Sequence, residues 1–208
     1  MYNKFSSLFL LLFFAIIRLL SGCDNKSIHD PVTYFRFVLN KRNGLFQEQT
    51  VGNYTFSLQY KSSTYMVLTD NENFPLNPES FVQQENEYSK NQYYTFRIKI
   101  APDTENLDIL TYNLNSEQEY NDRIHYLEKG MRNDIYLVCG KDTSKASSFI
   151  YDKSSDLNNC SSFLITFPIS QNMDSDRKFV FCDKKFQSGI ILFTITGETI
   201  KNTPPFRL

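Results

Sequence analysis

Tyr54, Phe56, Leu58 and Tyr60 alternate with Thr55, Ser57, Gln59 and Lys61, a period of two that predicts a strand with one buried and one wet face. The alternation recurs at residues 93–100, where Tyr94, Phe96, Ile98 and Ile100 face one way and Thr95, Arg97 and Lys99 the other. Ahead of both, Asp30-Pro31 reads as a helix start, with the aspartate accepting orphan amide hydrogens and the proline in the first turn. Val32, Phe35, Val38 and Leu39 then recur at helical spacing, so a helix is expected from Pro31 to about Lys41, ended by Asn43-Gly44. Met66 and Leu68 suggest a short strand, and Pro78–Tyr88 a second helix. Leu107 to Tyr112 is expected to pair back after an Ala101-Pro102-Asp103 turn.

Ser116 and Glu119 make a capping box. Tyr120, Ile124, Leu127 and Met131 follow as one apolar stripe of a helix that Gly130 helps to close. Strand-like runs come next at Ile135–Val138, Ser148–Tyr151, Phe163–Phe167, Phe179–Phe181 and Ile190–Ile195, with turn-forming residues between them. Short strands without intervening helices favour antiparallel pairing. The expectation is an α+β fold: an antiparallel sheet or sandwich-like core with one to three amphipathic helices. With 19 Phe and 13 Tyr, the core is filled by rings although no Trp is present.

The beginning of the chain breaks this pattern. Lys4 is followed by an apolar stretch from Leu8 to Ile17 and then by Leu20-Ser21-Gly22-Cys23. As a helix, Leu8–Leu20 would reach about 20 Å, short of the roughly 30 Å hydrocarbon core, so the stretch reads as an export signal and not as a span. The tetrapeptide resembles the processing site of bacterial lipoproteins at every position, while Arg18 departs from their usual pattern. That resemblance implies cleavage between Gly22 and Cys23, acylation of Cys23 by two or three chains, and a permanent hold on a membrane. Three regions follow: a signal peptide at 1–22, a lipidated tether at 23–30, and a single α+β domain at 31–208.

Lys4 and Arg18 are two of the 22 basic residues, so the mature chain keeps 20 against 23 acidic ones, a net charge of −3. Such a surface attracts neither nucleic acid nor anionic lipid. Cys139, Cys160 and Cys182 remain after Cys23 is acylated, each in or beside an apolar run, and are expected to be buried thiols.

Catalytic patterns are missing: no Cys-x-x-Cys, Gly-x-Ser-x-Gly, His-Glu-x-x-His or phosphate-binding glycine loop occurs. No catalytic residue, metal site, cofactor or nucleotide partner is therefore expected. His29 reads as tether and His125 as a surface position. Carboxylates cluster at Asp70-Asn71-Glu72, Asp103 with Glu105, and Asp174 with Asp176, all in loops where acids commonly solvate turns. Arg97, Lys99 and Tyr93 could line a carbohydrate or peptide groove, although alternation alone puts the same residues on any solvated face. Arg123, three residues from both Tyr120 and Tyr126, could stack on either ring or pair with Glu119.

A wider resemblance rests on Asn43-Gly44-Leu45, Val51-Gly52, Leu58-Gln59-Tyr60-Lys61, Tyr120, Arg123, Tyr126-Leu127, Asn133 to Leu137 and Gly140-Lys141-Asp142. Together these resemble a family of lipoproteins from Bacteroidetes that carries no known activity, which implies anchoring and transfers no catalytic residue. The function expected is a membrane-anchored envelope lipoprotein, in the outer membrane in preference to the inner, that binds an envelope protein or glycan without catalysis. An envelope hydrolase drawing on Asp103, Asp142 and Asp152 is the alternative.

Overall fold

The predicted alternation becomes two antiparallel sheets whose inner faces meet through phenylalanine rings. The computed structural model describes residues 27–71, 76–101, 107–153 and 159–208; the segment expected to be an export signal, Gly22, Cys23, Glu72, Pro75, Pro102, Asp103 and Glu105 lie outside them. The five-stranded sheet has the order β1 (Phe46–Val51), β2 (Tyr54–Lys61), β3 (Asn91–Ile100), β7 (Cys160–Pro168), β6 (Ser148–Asp152). The four-stranded sheet has the order β5 (Asp142–Lys145), β4 (Ile135–Cys139), β8 (Arg177–Cys182), β9 (Ile190–Ile195). All pairs are antiparallel. Phe96 of β3 lies 5.1 Å from Phe179 and 5.5 Å from Phe181 across the gap, ring centroid to centroid, and all three are fully buried. The molecule is thus an α+β sandwich with a ring-filled core.

Among the described residues five α-helices flank it: α1 (Pro31–Leu39), α2 (Ser63–Asp70), α3 (Pro78–Tyr88), α4 (Glu117–His125) and α5 (Gly197–Lys201). Asp30 caps α1 by accepting from the Thr33 amide at 2.8 Å, and Gly44, at φ +77°, takes the left-handed turn after it. The buried residues of α1 are Tyr34 and Val38, whereas Val32 and Leu39 of the expected stripe are about half exposed. Asn77 caps α3, which buries only Phe81.

Four expectations are corrected. Met66 and Leu68 lie in α2, because Ser62 caps a helix there and Tyr65 to Leu68 are all buried; two alternating apolar residues are too few to specify a strand. The 107–112 segment is a set of turns, since Asp108 accepts from the amides of Leu110, Thr111 and Tyr112 and satisfies them locally. The capping box forms at Ser116, but after α4 the backbone widens over Tyr126–Gly130 and tightens over Met131–Asp134. This turns Arg123, Tyr126 and Asp134 inward beside Leu127 and Met131, leaving Tyr120 and Ile124 part-exposed. Finally, the tether is not free up to Asp30: the Ile28 amide donates to Pro205 O at 2.9 Å and Ile28 O accepts from the Arg207 amide at 2.9 Å. Strands β1 and β5 and helix α5 had no signal in the apolar pattern.

Cys139 is buried, and burial pushes its thiol up from the ordinary value. Cys160 and Cys182 are only part-buried, so the expected burial holds fully for one of the three.

Candidate functional site

Several pieces of chain meet at the end of the sandwich that carries the β1–β2 turn. Asn53 and Tyr54 come from that turn, Tyr112 and Asn113 from the turns before α4, Arg123 from α4, and residues 185–188 from the β8–β9 loop. They enclose a cleft of about 330 Å3. A second hollow of about 250 Å3 continues it, sharing Asn113, Arg123, Lys185 and Gln187 and adding Glu119 and Asp122.

Arg123 is the fixed point. Its Nη1 donates to the carbonyls of Ile109 and Tyr112, each at 2.7 Å, and the guanidinium lies 5.9 Å from the Phe186 ring centroid. One nitrogen therefore holds the 108–113 turns against α4, and the same side chain lines the cleft. Burial pulls the guanidinium below its ordinary value, with Tyr54 acting in the opposite sense. The arginine neither stacks on Tyr120 and Tyr126 nor pairs with Glu119. Those alternatives come from spacing on a regular helix, whereas the two unpaired carbonyls of the preceding turns claim the side chain.

An aromatic wall stands beside it. Tyr54 packs edge-on against Tyr112 at 5.9 Å and tilts against Phe186 at 5.0 Å, while Asn53 Nδ2 donates to the Tyr112 hydroxyl at 2.8 Å. Desolvation raises the Tyr54 phenol, so it stays a neutral donor. The opposite wall is held by Asp183, whose carboxylate accepts from the amides of Lys185 (2.8 Å), Phe186 (2.8 Å) and Ser188 (2.6 Å). Lys184 pairs with Asp134, and Tyr126 donates to the same carboxylate at 3.0 Å, which ties this loop to the end of the α4 segment. Asn113 (φ +52°) and Gln187 (φ +57°) both hold the left-handed backbone at the rim. Such backbone costs on the order of 1 kcal/mol per residue and persists only where the surroundings impose it. Chemically, the cleft offers an aromatic wall, the pinned Arg123, the Lys185 ammonium and several amides, a set suited to orienting a polar ligand.

The other candidate residues disperse. His29 Nε2 lies 3.1 Å from Ser27 Oγ on the surface, and His125 is exposed. Asp70 accepts from the Tyr88 hydroxyl, and Asp176 accepts from the Gly197 amide at 3.1 Å. Asp134 stands just before β4 and Asp142 opens β5, where it accepts from Ser170 Oγ and Asn172 Nδ2, both at 2.9 Å. Asp142 and Asp152 stand on edge strands of different sheets. Among the described residues, no three His, Cys, Asp or Glu side chains gather closely enough to hold a metal ion. Lys99 reaches Glu48 at 3.9 Å and Tyr93 packs edge-on against Tyr88, while Arg97 lines a concavity on the sheet. Asp183 escaped the sequence reading, although an Asp-to-Gly loop between two apolar strands was its visible signal.

No helix among the described residues is long and apolar enough to cross a membrane. No protein-family model matches the chain, and no curated protein matches it. Among solved structures, it is similar to the crystal structure of a novel protein of unknown function from Burkholderia pseudomallei K96243. Identity is 10% and the TM-score 0.35, over 88% of this chain and 98% of that one, a likeness that carries neither fold nor activity across.

Proposed function

We propose that this chain is a membrane-anchored envelope lipoprotein, held by acylated Cys23, that works as a non-enzymatic binding or assembly module and offers the Arg123 cleft to a glycan or a polar part of another envelope component. The observation that carries the reading is the cleft itself: a pinned arginine, an aromatic wall and an Asp183-ordered loop.

Placement supports it. Ile28 is bonded to the C-terminal segment, so the five residue steps from Cys23 to Ile28 reach about 18 Å at most. Phe206 packs on Tyr34, and Tyr34 bonds Ser62 just past the end of β2, whereas the cleft lies beside Tyr54 at its start. The eight residues of β2 separate the two ends by roughly 23 Å. The tether and the cleft thus sit at opposite ends of the sandwich, and the cleft opens away from the bilayer.

The test is calorimetric titration of the full-length acylated protein, in a non-ionic detergent, with soluble peptidoglycan fragments and surface oligosaccharides. Saturable heat is expected for the wild type, at least about tenfold weaker binding for Lys185→Ala, and no product, since a charge-assisted hydrogen bond contributes roughly 1.5–3 kcal/mol. Turnover abolished by one point substitution would overturn the non-enzymatic reading, and equal heat from wild type and variant would overturn the cleft.

A further inference from the structure

A second concavity, of about 490 Å3, lies on the outer face of the five-stranded sheet, away from the Arg123 cleft. The register places its residues in rows across the sheet. Ser57, Arg97, Ser162 and Asp152 form one row, and Gln59, Thr95, Leu164 and Ile150 the next. Lys61 enters from the end of β2, its ammonium 5.4 Å from the Tyr65 ring centroid.

Three observations converge there. Arg97 and Lys61 line the same half-buried groove, and among the described residues neither has a carboxylate within 4.0 Å, although Lys41, Lys90, Lys99, Lys153 and Lys184 all do. Thr95, a groove residue, is 4% exposed, and its cross-strand neighbour Gln59 is 1% exposed with Nε2 unpaired. A buried orphan donor costs about 1–3 kcal/mol, and native chains rarely retain one without a reason. The expected wet face is also largely dry: Thr55, Ser57, Gln59, Thr95 and Ser162 are all buried. The unpaired cations therefore stand on a sheltered polar floor, where charges are screened less than at an open surface. Burial and the neighbouring Arg97 both lower the Lys61 ammonium from its ordinary value, and Asp70 opposes them. Asp152 bounds the far side, and Lys153 is drawn off to Glu128 at 2.5 Å.

We propose that this groove is a binding site for a phosphate group, held between Arg97 and Lys61 and seated on Thr95. Two cations match the double negative charge of a phosphate monoester better than the single charge of a carboxylate, and the guanidinium fork fits two of its oxygens. The site is independent of the Arg123 cleft: it shares no residue with it and stands or falls separately.

The experiment measures binding to the full-length acylated protein in a non-ionic detergent, by calorimetry at constant ionic strength. Inorganic phosphate and dihexanoyl phosphatidic acid, a lipid phosphomonoester, below its micelle concentration are the two probes. Saturable binding of either is expected, weakened at least about tenfold in both Arg97→Gln and Lys61→Gln, because each removes a charge-assisted hydrogen bond. Lys185→Ala should leave it unchanged. Binding of phosphate alone identifies a free phosphate or monoester as the source, and binding of the phospholipid identifies a headgroup. Heat from neither probe, or equal heat from wild type and both variants, would overturn the proposal. Each variant's cooperative thermal transition reports that it is folded.

Discussion

Ile28 and Phe206 lie side by side as a parallel bridge, joining the start of the described chain to its end. Phe206 then packs on Tyr34 and on Phe81, each at 5.9 Å between ring centroids, and is nearly buried. This clasp joins α1, α3 and both ends of the chain. Phe206→Ala removes a buried ring that three elements share, and is expected to cost about 3 kcal/mol, measured as a drop in the denaturant midpoint. A change below about 0.5 kcal/mol would show that the C-terminal segment does not hold the tether.

A second prediction concerns Arg177, which is 2% exposed and, among the described residues, has no carboxylate within 4.0 Å. Its Nε donates to Gln92 Oε1 at 3.1 Å, while Nη1 and Nη2 donate to Ser175 O at 3.1 Å and Met173 O at 2.8 Å. The guanidinium also faces the Tyr60 ring. Arg177→Met leaves Gln92 Oε1 with only the Tyr94 hydroxyl at 3.4 Å and removes the donor of the two loop carbonyls, and is expected to cost about 1–3 kcal/mol by equilibrium unfolding.

The β8–β9 loop gives a paired prediction. Gln187→Gly relieves the left-handed backbone and is expected to raise stability by about 0.5–1 kcal/mol. Asp183→Ala removes the acceptor of three loop amides and is expected to lower stability by about 1–2 kcal/mol and to weaken cleft binding. Amide hydrogen exchange at Lys185, Phe186 and Ser188 reads the loop directly: faster exchange in Asp183→Ala is the expected result.

Alkaline titration tests the ring-rich interior. Desolvation raises the phenols of Tyr34, Tyr54, Tyr60, Tyr94 and Tyr126, and the hydrogen bond to Asp70 lifts Tyr88 to about 12. A folded pKa raised above the unfolded value of about 10 contributes stability that is complete below pH 10 and is lost as pH rises through the folded value. Stability should therefore fall above pH 10, with these six phenols ionising late and largely on unfolding. Reversible ionisation of all 13 tyrosines together near pH 10, followed by tyrosinate absorbance, would contradict this.

Strands β2 and β3 were legible because their alternation matches burial on the inner face residue by residue, from Tyr54 to Tyr60 and from Tyr94 to Ile100. Edge strands β1 and β5 were not, since Gln47 to Thr50 and Asp142 to Lys145 carry no apolar period. Helix α2 was misread because its cap, Ser62, lies in a run of polar residues that looks like the end of a strand. At the cleft, Arg123 stood out in the sequence but its partners did not: the carbonyls of Ile109 and Tyr112 and the Asp183 loop meet it only through tertiary packing. Arg97 was legible as a groove residue, whereas its partnership with Lys61 depends on side chains reaching across rows of the sheet.

The central claim, attachment through Cys23, is tested by comparing wild type with Cys23→Ala in a Gram-negative host, by membrane fractionation and intact mass. The account predicts a membrane-bound wild type that begins at Cys23 and carries two or three acyl chains, beside an unprocessed variant. Equal, unacylated masses for the two proteins would contradict it.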